Sequence, residues 1–304
     1  MQNHNWKKLG QLFQVNNQNP YLCSHAANPL AVHLENDIFR IFYSGRNKEN
    51  KSSIGYVDIN IITQEIINYP KEPILVYGNE NSFYSHGISI GNAFDVNDKT
   101  YILFMGWQYP KNEHWRGDVG RIELTDKIDM KVTPSSAFMG IDEEDKISLS
   151  YPFVMYHEGI YKMWYGSTIT WDAGNNEMIH AIKYATSKDG ENWQKHGVAI
   201  PYEIGIAQAF SKPSVIIENG IYHMWFSFRE GTGKTYRIGY ATSKNGIEWK
   251  RHDNYTGIDV SEEGWDSQMI CYSFVFSHKE NYYMLYNGNQ NGKEGFGLTI
   301  LKTN

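Results

Sequence analysis

An all-β fold, arranged as a five-bladed β-propeller of four-stranded antiparallel blades, is predicted by three observations on this chain. An internal repeat of about 60 residues runs along it, aromatic strand-like runs are bounded by turn residues, and the last copy is incomplete while an N-terminal segment is left over. Aromatics make up 15% of the 304 residues, with 9 Trp, 22 Tyr and 14 Phe, and only 9 Pro interrupt them; this composition favours many short strands. The repeat organises the whole length, so residues 1–304 are expected to form a single propeller domain.

The clearest copy is Lys183-Tyr184-Ala185-Thr186-Ser187-Lys188-Asp189-Gly190, which returns 56 residues later as Gly239-Tyr240-Ala241-Thr242-Ser243-Lys244-Asn245-Gly246. Upstream, Ile160-Tyr161-Lys162-Met163-Trp164-Tyr165 matches Ile221-Tyr222-His223-Met224-Trp225-Phe226. Weaker versions begin at Ile38, Thr100 and Asn281. Each copy runs from an apolar stretch after a Pro, through a turn such as Glu218-Asn219-Gly220, into the aromatic strand, a polar loop and a third strand like Ile238-Gly239-Tyr240-Ala241. Hairpins joining consecutive strands make this an antiparallel meander. The fifth copy stops after its third strand, at Thr299-Ile300-Leu301, so Met1 to Gln14 is expected to pair there and cover the open edge.

Charge and cysteine content narrow the function. A formal charge of −6 offers no basic face for nucleic acid or an anionic membrane. Two cysteines, Cys23 and Cys271, are too few for a disulfide scaffold and lack metal-ligand spacing; with a polar, signal-free start, the expected location is the cytoplasm. There is no GxSxG elbow, HExxH, GxxxxGK[ST] or GxGxxG after a strand.

In a propeller, the starts of the first strands and the ends of the second converge on one funnel. Repeat register puts Asn28, Tyr151, Lys212 and Tyr272 just before the Pro slot. It puts Arg46, Gln108, Thr168, Arg229 and Asn289 at the end of the aromatic strand. Arg46, Lys212 and Arg229 would repel one another near an axis unless an anion lay between them, which suggests a ligand bearing a carboxylate or phosphate. The nearby carboxylates are Glu230, Asp266 and Asp172. His25 and His86 precede first strands in two copies and are candidate proton carriers. Trp107 and Trp265, with Trp171, are candidate stacking platforms. No cofactor is expected; a divalent ion in the funnel stays open, since two His with Asn and Asp are ligand types but their spacing specifies nothing.

The Asn28-Pro29 start, the Met163-Trp164-Tyr165 and Met224-Trp225-Phe226 strands, and the Tyr-Ala-Thr-Ser-Lys-x-Gly-x-x-Trp hairpins together resemble the five-bladed glycoside hydrolase superfamily that includes families 32, 43, 68, 117 and 130. The stretch from Gly257 to Leu298 looks like uncharacterised glycosidase-like proteins associated with bacterial surface-polysaccharide gene clusters. The resemblance implies a carbohydrate ligand. Families 32 and 43 carry three carboxylates at successive blade starts, whereas here Asn28, His86 and Tyr151 stand in or near those places. The expectation is therefore a hydrolase or related transfer enzyme acting on an anionic sugar or activated sugar conjugate. Asp266, Glu230, His25 and His86 are its acid/base candidates. Asn28, Arg46, Trp107, Gln108, Tyr151, Asp172, Lys212, Arg229, Trp265, Tyr272 and Asn289 are its binding candidates. The alternative is a non-catalytic saccharide-binding propeller without the hydrolytic triad.

Overall fold

Residues 4–16, 18–231 and 233–302 are described by a computed structural model. They are almost entirely β, with one 3-10 turn at Asp253–Tyr255 and a helical turn at Asn289–Gly292. Antiparallel pairing groups the strands in fours. The first group is Ser24–Glu35, Ile38–Arg46, Ser52–Asn60 and Ile66–Asn68. Next come Gly87–Val96, Lys99–Gln108, Arg116–Thr125 and Asp129–Val132. The third is Leu149–His157, Ile160–Thr170, Ile179–Ser187 and Gln194–Val198, and the fourth Ala209–Glu218, Ile221–Arg229, Arg237–Ser243 and Lys250–Arg251. The last group is Cys271–His278, Asn281–Asn287 and Phe296–Lys302 with the N-terminal strand Lys7–Phe13 on its outer edge, Lys7 opposite Ile300 and Phe13 opposite Phe296. The pairing predicted for the N-terminal region is thus present over the described residues; residues 1–3 of that region lie outside them.

The groups are stitched together near their first strands. A parallel bridge joins Ser52 to Gly87, and another His180 to Ala209. The Asn92 amide clamps the backbone of Val154 at 2.7 and 2.8 Å, and Ser214 Oγ accepts the Val275 N–H at 2.8 Å. Asn287 ties the last group to the first, accepting from Asn28 N at 2.8 Å and donating to Ala26 O at 2.7 Å.

The repeat's hairpin signature has a local cause. The hydroxyls of Ser187 and Ser243 accept the N–H of Gly190 and Gly246 at 2.9 and 2.8 Å. Asp189 and Asn245, at the same place in each turn, accept the two following N–H groups. The turn backbone is therefore satisfied by its own side chains, and glycine takes the positive φ of 75° and 76° that other residues resist. Ser187→Ala and Ser243→Ala are each expected to cost about 1 kcal/mol in urea unfolding, the worth of one hydrogen bond. Unchanged midpoints would mean the glycine conformation alone holds these turns. Behind the hairpins, Trp164 and Trp225 occupy one repeat position and are fully buried, and the Trp164 indole donates to Gly246 O at 2.9 Å.

Each first strand carries a break in register, at Ala27/Leu30, Ile90/Ala93, Ser150/Phe153, Ser211/Ser214 and Cys271/Phe274. These are β-bulges, which bend a strand and re-aim its side chains. Four hold a non-glycine residue at positive φ: Asn28 (55°), Tyr151 (36°), Lys212 (46°) and Tyr272 (54°). Such conformations cost free energy and collect at functional sites. The fifth has Gly91, where a Cβ would run into the carbonyl oxygens of Pro152 and Leu103. No helix among the described residues is long and apolar enough to cross a membrane.

Candidate functional site

A cavity of about 270 Å³ opens where the bulged strands meet. Ser89, Ser150 and Ser211 line it, with Tyr151, Tyr236 and Tyr272 and with Trp107 and Trp115. Two cations face it, Arg46 and Arg229, and no Asp or Glu is among the described residues that line it.

The arginines differ in how they are held. Arg229 donates from Nη2 to Glu177 Oε1 at 3.0 Å and lies over the Tyr236 ring at 4.7 Å, yet its buried Nε has no hydrogen-bond partner among the described residues. Arg46 has no carboxylate within ion-pair reach among the described residues. Ser211, 2% exposed, likewise leaves its Oγ unpartnered.

The phenols are neutral at ordinary pH: burial pushes Tyr236 up to about 12 and raises Tyr151 and Tyr272. The Tyr272 ring lies tilted against Tyr151 and Tyr236, with centroids 5.5 and 5.9 Å apart. His180 is buried opposite Thr168, with Nε2 2.5 Å from Ser150 Oγ and Nδ1 2.8 Å from Thr168 Oγ1. Burial, then the Arg229 charge, pushes its imidazole down to about 3.

The predicted convergence is therefore partial. Arg46, Trp107, Tyr151, Arg229 and Tyr272 line the cavity; Asn28, Lys212 and Asn289 do not. Lys212 is 2% exposed, and its Nζ reaches across to Ile90 O and Gly91 O at 3.0 and 3.1 Å, with burial pushing its amine down to about 7. Asn28 is buried beside Asn287. Asn289 Oδ1 accepts from Gln268 N and Met269 N, organising the loop before the last group.

The acid/base candidates lie elsewhere. Asp266 is a buried partner of Lys8 at 2.7 Å and of Tyr286 OH at 2.9 Å, fastening the N-terminal strand. Glu230 lines a separate pocket of about 120 Å³ with Lys234. Asp172 is exposed and accepts the Gly174 and Asn176 N–H groups of its own loop. Trp265 packs on Tyr286 at 5.1 Å. His25 is buried against Ser24 Oγ at 3.0 Å, and burial with the Arg46 charge pushes it down to about 3. His86 and Gln108 line a neighbouring cleft that shares Tyr109 with the cavity. No group of metal-ligating side chains occurs among the described residues.

Sequence reasoning missed Ser150, Ser211, His180 and Tyr236. The signal was available: the 56-residue offset that aligns Tyr184 with Tyr240 also aligns His180 with Tyr236, at the start of the third strand. That third convergence slot follows from the parallel bridge at His180.

Comparison with solved structures defines the fold class: this chain has the fold of glycoside hydrolase structures. A glycoside hydrolase structure superposes with a TM-score of 0.73, covering 97% of this chain and 92% of that one at 12% identity. The sucrose-6-phosphate hydrolase of Lactobacillus gasseri (TM-score 0.64, 13% identity, 94% of this chain and 62% of that one) and the GH32 beta-fructofuranosidase of Bombyx mori (0.63, 14%, 91% and 61%) share the architecture. No family model matches the sequence. The chain belongs to the family of two uncharacterized Mycobacterium tuberculosis proteins, MT1551 and Rv1502, each 38% identical over 299 residues, covering 98% of this chain and 99% of the relative.

Proposed function

We propose that this protein is a glycosidase-like hydrolase whose cavity takes a sugar, or sugar conjugate, bearing a carboxylate or phosphate. The whole chain is read as one domain, its groups of four strands closing as five blades around that cavity; the ties running from each group to the next, and from Asn287 back to Asn28, support closure. The observation that carries the ligand reading is the uncompensated charge of Arg46. Two guanidinium groups face a cavity with no carboxylate among its described lining residues; Arg229 is paired with Glu177, whereas Arg46 has no ion-pair partner among the described residues. Arg suits a planar carboxylate or a phosphate because its fork can engage two oxygens at once. Trp107, Trp115 and Tyr109 add apolar faces against which a sugar ring can lie.

That no Asp or Glu is among the described residues lining the cavity also counts against carboxylate-pair glycoside hydrolysis, which needs two such groups flanking the bond. A cytoplasmic role in surface-polysaccharide metabolism suits the free thiols of Cys23 and Cys271. Calorimetry with glucuronate, galacturonate and glucose 1-phosphate, set against glucose and galactose, tests the ligand class. The charged sugars should bind at least tenfold more tightly, with affinity falling as salt rises. Equal affinity for charged and neutral sugars would overturn the reading.

A further inference from the structure

We propose that Ser150 and His180 are a nucleophile and base that cleave an acyl ester carried by the cavity's sugar ligand. This deepens the anionic-sugar reading and rests on it for the substrate. The diagnostic arrangement for an activated hydroxyl is a base within hydrogen-bond reach, itself oriented by a third group. Ser150 Oγ lies 2.5 Å from His180 Nε2, and His180 Nδ1 lies 2.8 Å from Thr168 Oγ1. Both partners are hydroxyls that can donate or accept, so either neutral tautomer fits; in the reactive one Nδ1–H donates to Thr168 Oγ1 and Nε2 accepts from the Ser150 hydroxyl.

The approach is built into the strands. Ser150 pairs with Gly166 and Thr168 with His180, and a Cβ on Gly166 would occupy the space of both Ser150 Oγ and His180 Nε2. Ser150 and His180 both line the cavity; Ser89 and Ser211 line it as well but have no imidazole against them among the described residues. With no carboxylate among the described lining residues, this pair can attack and carry a proton.

In the step, Ser150 Oγ forms a bond to the ester carbonyl carbon while its proton passes to His180 Nε2. The carbonyl electron pair moves onto oxygen, and the oxyanion forms in a cavity lined by the Arg46 and Arg229 cations. The C–O bond to the sugar then breaks, and the sugar hydroxyl leaves with the proton from His180. Water attacks the acyl-Ser150 carbonyl carbon and gives a proton to His180; the acyl C–Oγ bond then breaks, His180 returns the proton to Ser150 Oγ, and the carboxylic acid and the free serine are released. Burial, and after it the positive charge of Arg229, opposes protonation of His180. Arg229 is already paired with Glu177, and a further anion beside it would offset what remains of that field and strengthen the base. Esters on charged sugars should therefore turn over faster than esters on neutral ones.

The test uses the full chain with a fluorophosphonate and with two substrates, O-acetyl glucuronate and O-acetyl glucose. The expected result is a covalent adduct on Ser150, and acetate release at least tenfold faster from the uronate. Ser150→Ala should lose both the adduct and more than 100-fold of the release, while still binding glucuronate by calorimetry, which shows that it folds. Thr168→Val, which removes the positioning hydroxyl, should lower kcat with KM unchanged. Glucuronate binding with neither adduct nor acetate release would overturn the ester chemistry and leave the ligand reading standing. Ser150-dependent release at equal rates from both sugars would keep the ester chemistry and overturn the anionic ligand.

Discussion

Arg46→Met is expected to weaken binding of a charged sugar by about 1.5–3 kcal/mol, the range for a hydrogen bond to a charged group, and to leave binding of neutral sugars unchanged. The expectation rests on the isolation of this guanidinium: it faces the cavity and has no carboxylate partner among the described residues. Nothing inside the protein has to be given up when a ligand anion arrives. Methionine keeps much of the stem's apolar packing while deleting the charge. Arg229→Met should also weaken binding, but with a stability cost, because it leaves Glu177, already largely buried, without its 3.0 Å partner. Titration calorimetry read beside thermal unfolding separates the two effects. Loss of neutral-sugar binding in Arg46→Met would show that the side chain shapes the cavity rather than its charge preference.

The second large effect concerns Lys212 and pH. Its amine is buried, faces two carbonyl oxygens and no carboxylate, and burial pushes it down to about 7, against about 10.4 in an unfolded chain. Between these values the unfolded chain binds a proton that the folded chain does not. Stability must then rise with pH from about 7 upward, at most about 1.4 kcal/mol per pH unit for one proton, whereas below 7 the folded state bears the full cost of the buried charge. Urea unfolding of the wild-type protein and Lys212→Met at pH 6, 7, 8 and 9 checks this. The wild type should gain about 2–3 kcal/mol relative to the variant between pH 6 and 9. Parallel curves would mean that the amine stays charged throughout. The variant should be less stable at pH 9, since Met leaves the Ile90 and Gly91 carbonyls without a donor.

The same residue shows where the register argument stops. Lys212 and Arg229 occupy equally polar slots of one repeat, yet Arg229 faces the cavity and Lys212 is buried beneath the strands. A bulge adds a residue to one strand and breaks the period of two, so inward and outward positions cannot be counted across it. The positive φ of Asn28, Tyr151, Lys212 and Tyr272 is that break, and Pro after three of them marks its place without giving its direction.

What the sequence by itself determined is what local chemistry and repetition determine. The offset between Tyr184 and Tyr240, the Ser-x-Asx-Gly turns and the unmatched third strand at Leu301 were sufficient for an all-β chain whose N-terminal strand meets its C-terminal one. Tertiary structure alone decided which polar groups meet. Asp266 and Lys8 are 258 positions apart and form a buried ion pair, which turned an acid/base candidate into a fastening. Ser150 and His180 lie on different strands, and neither stood out until pairing put an imidazole against a hydroxyl beside a glycine. Turns follow from a few adjacent residues, but charge pairing and catalytic geometry depend on distances of a few ångströms between distant parts of the chain, which only the packed strands set.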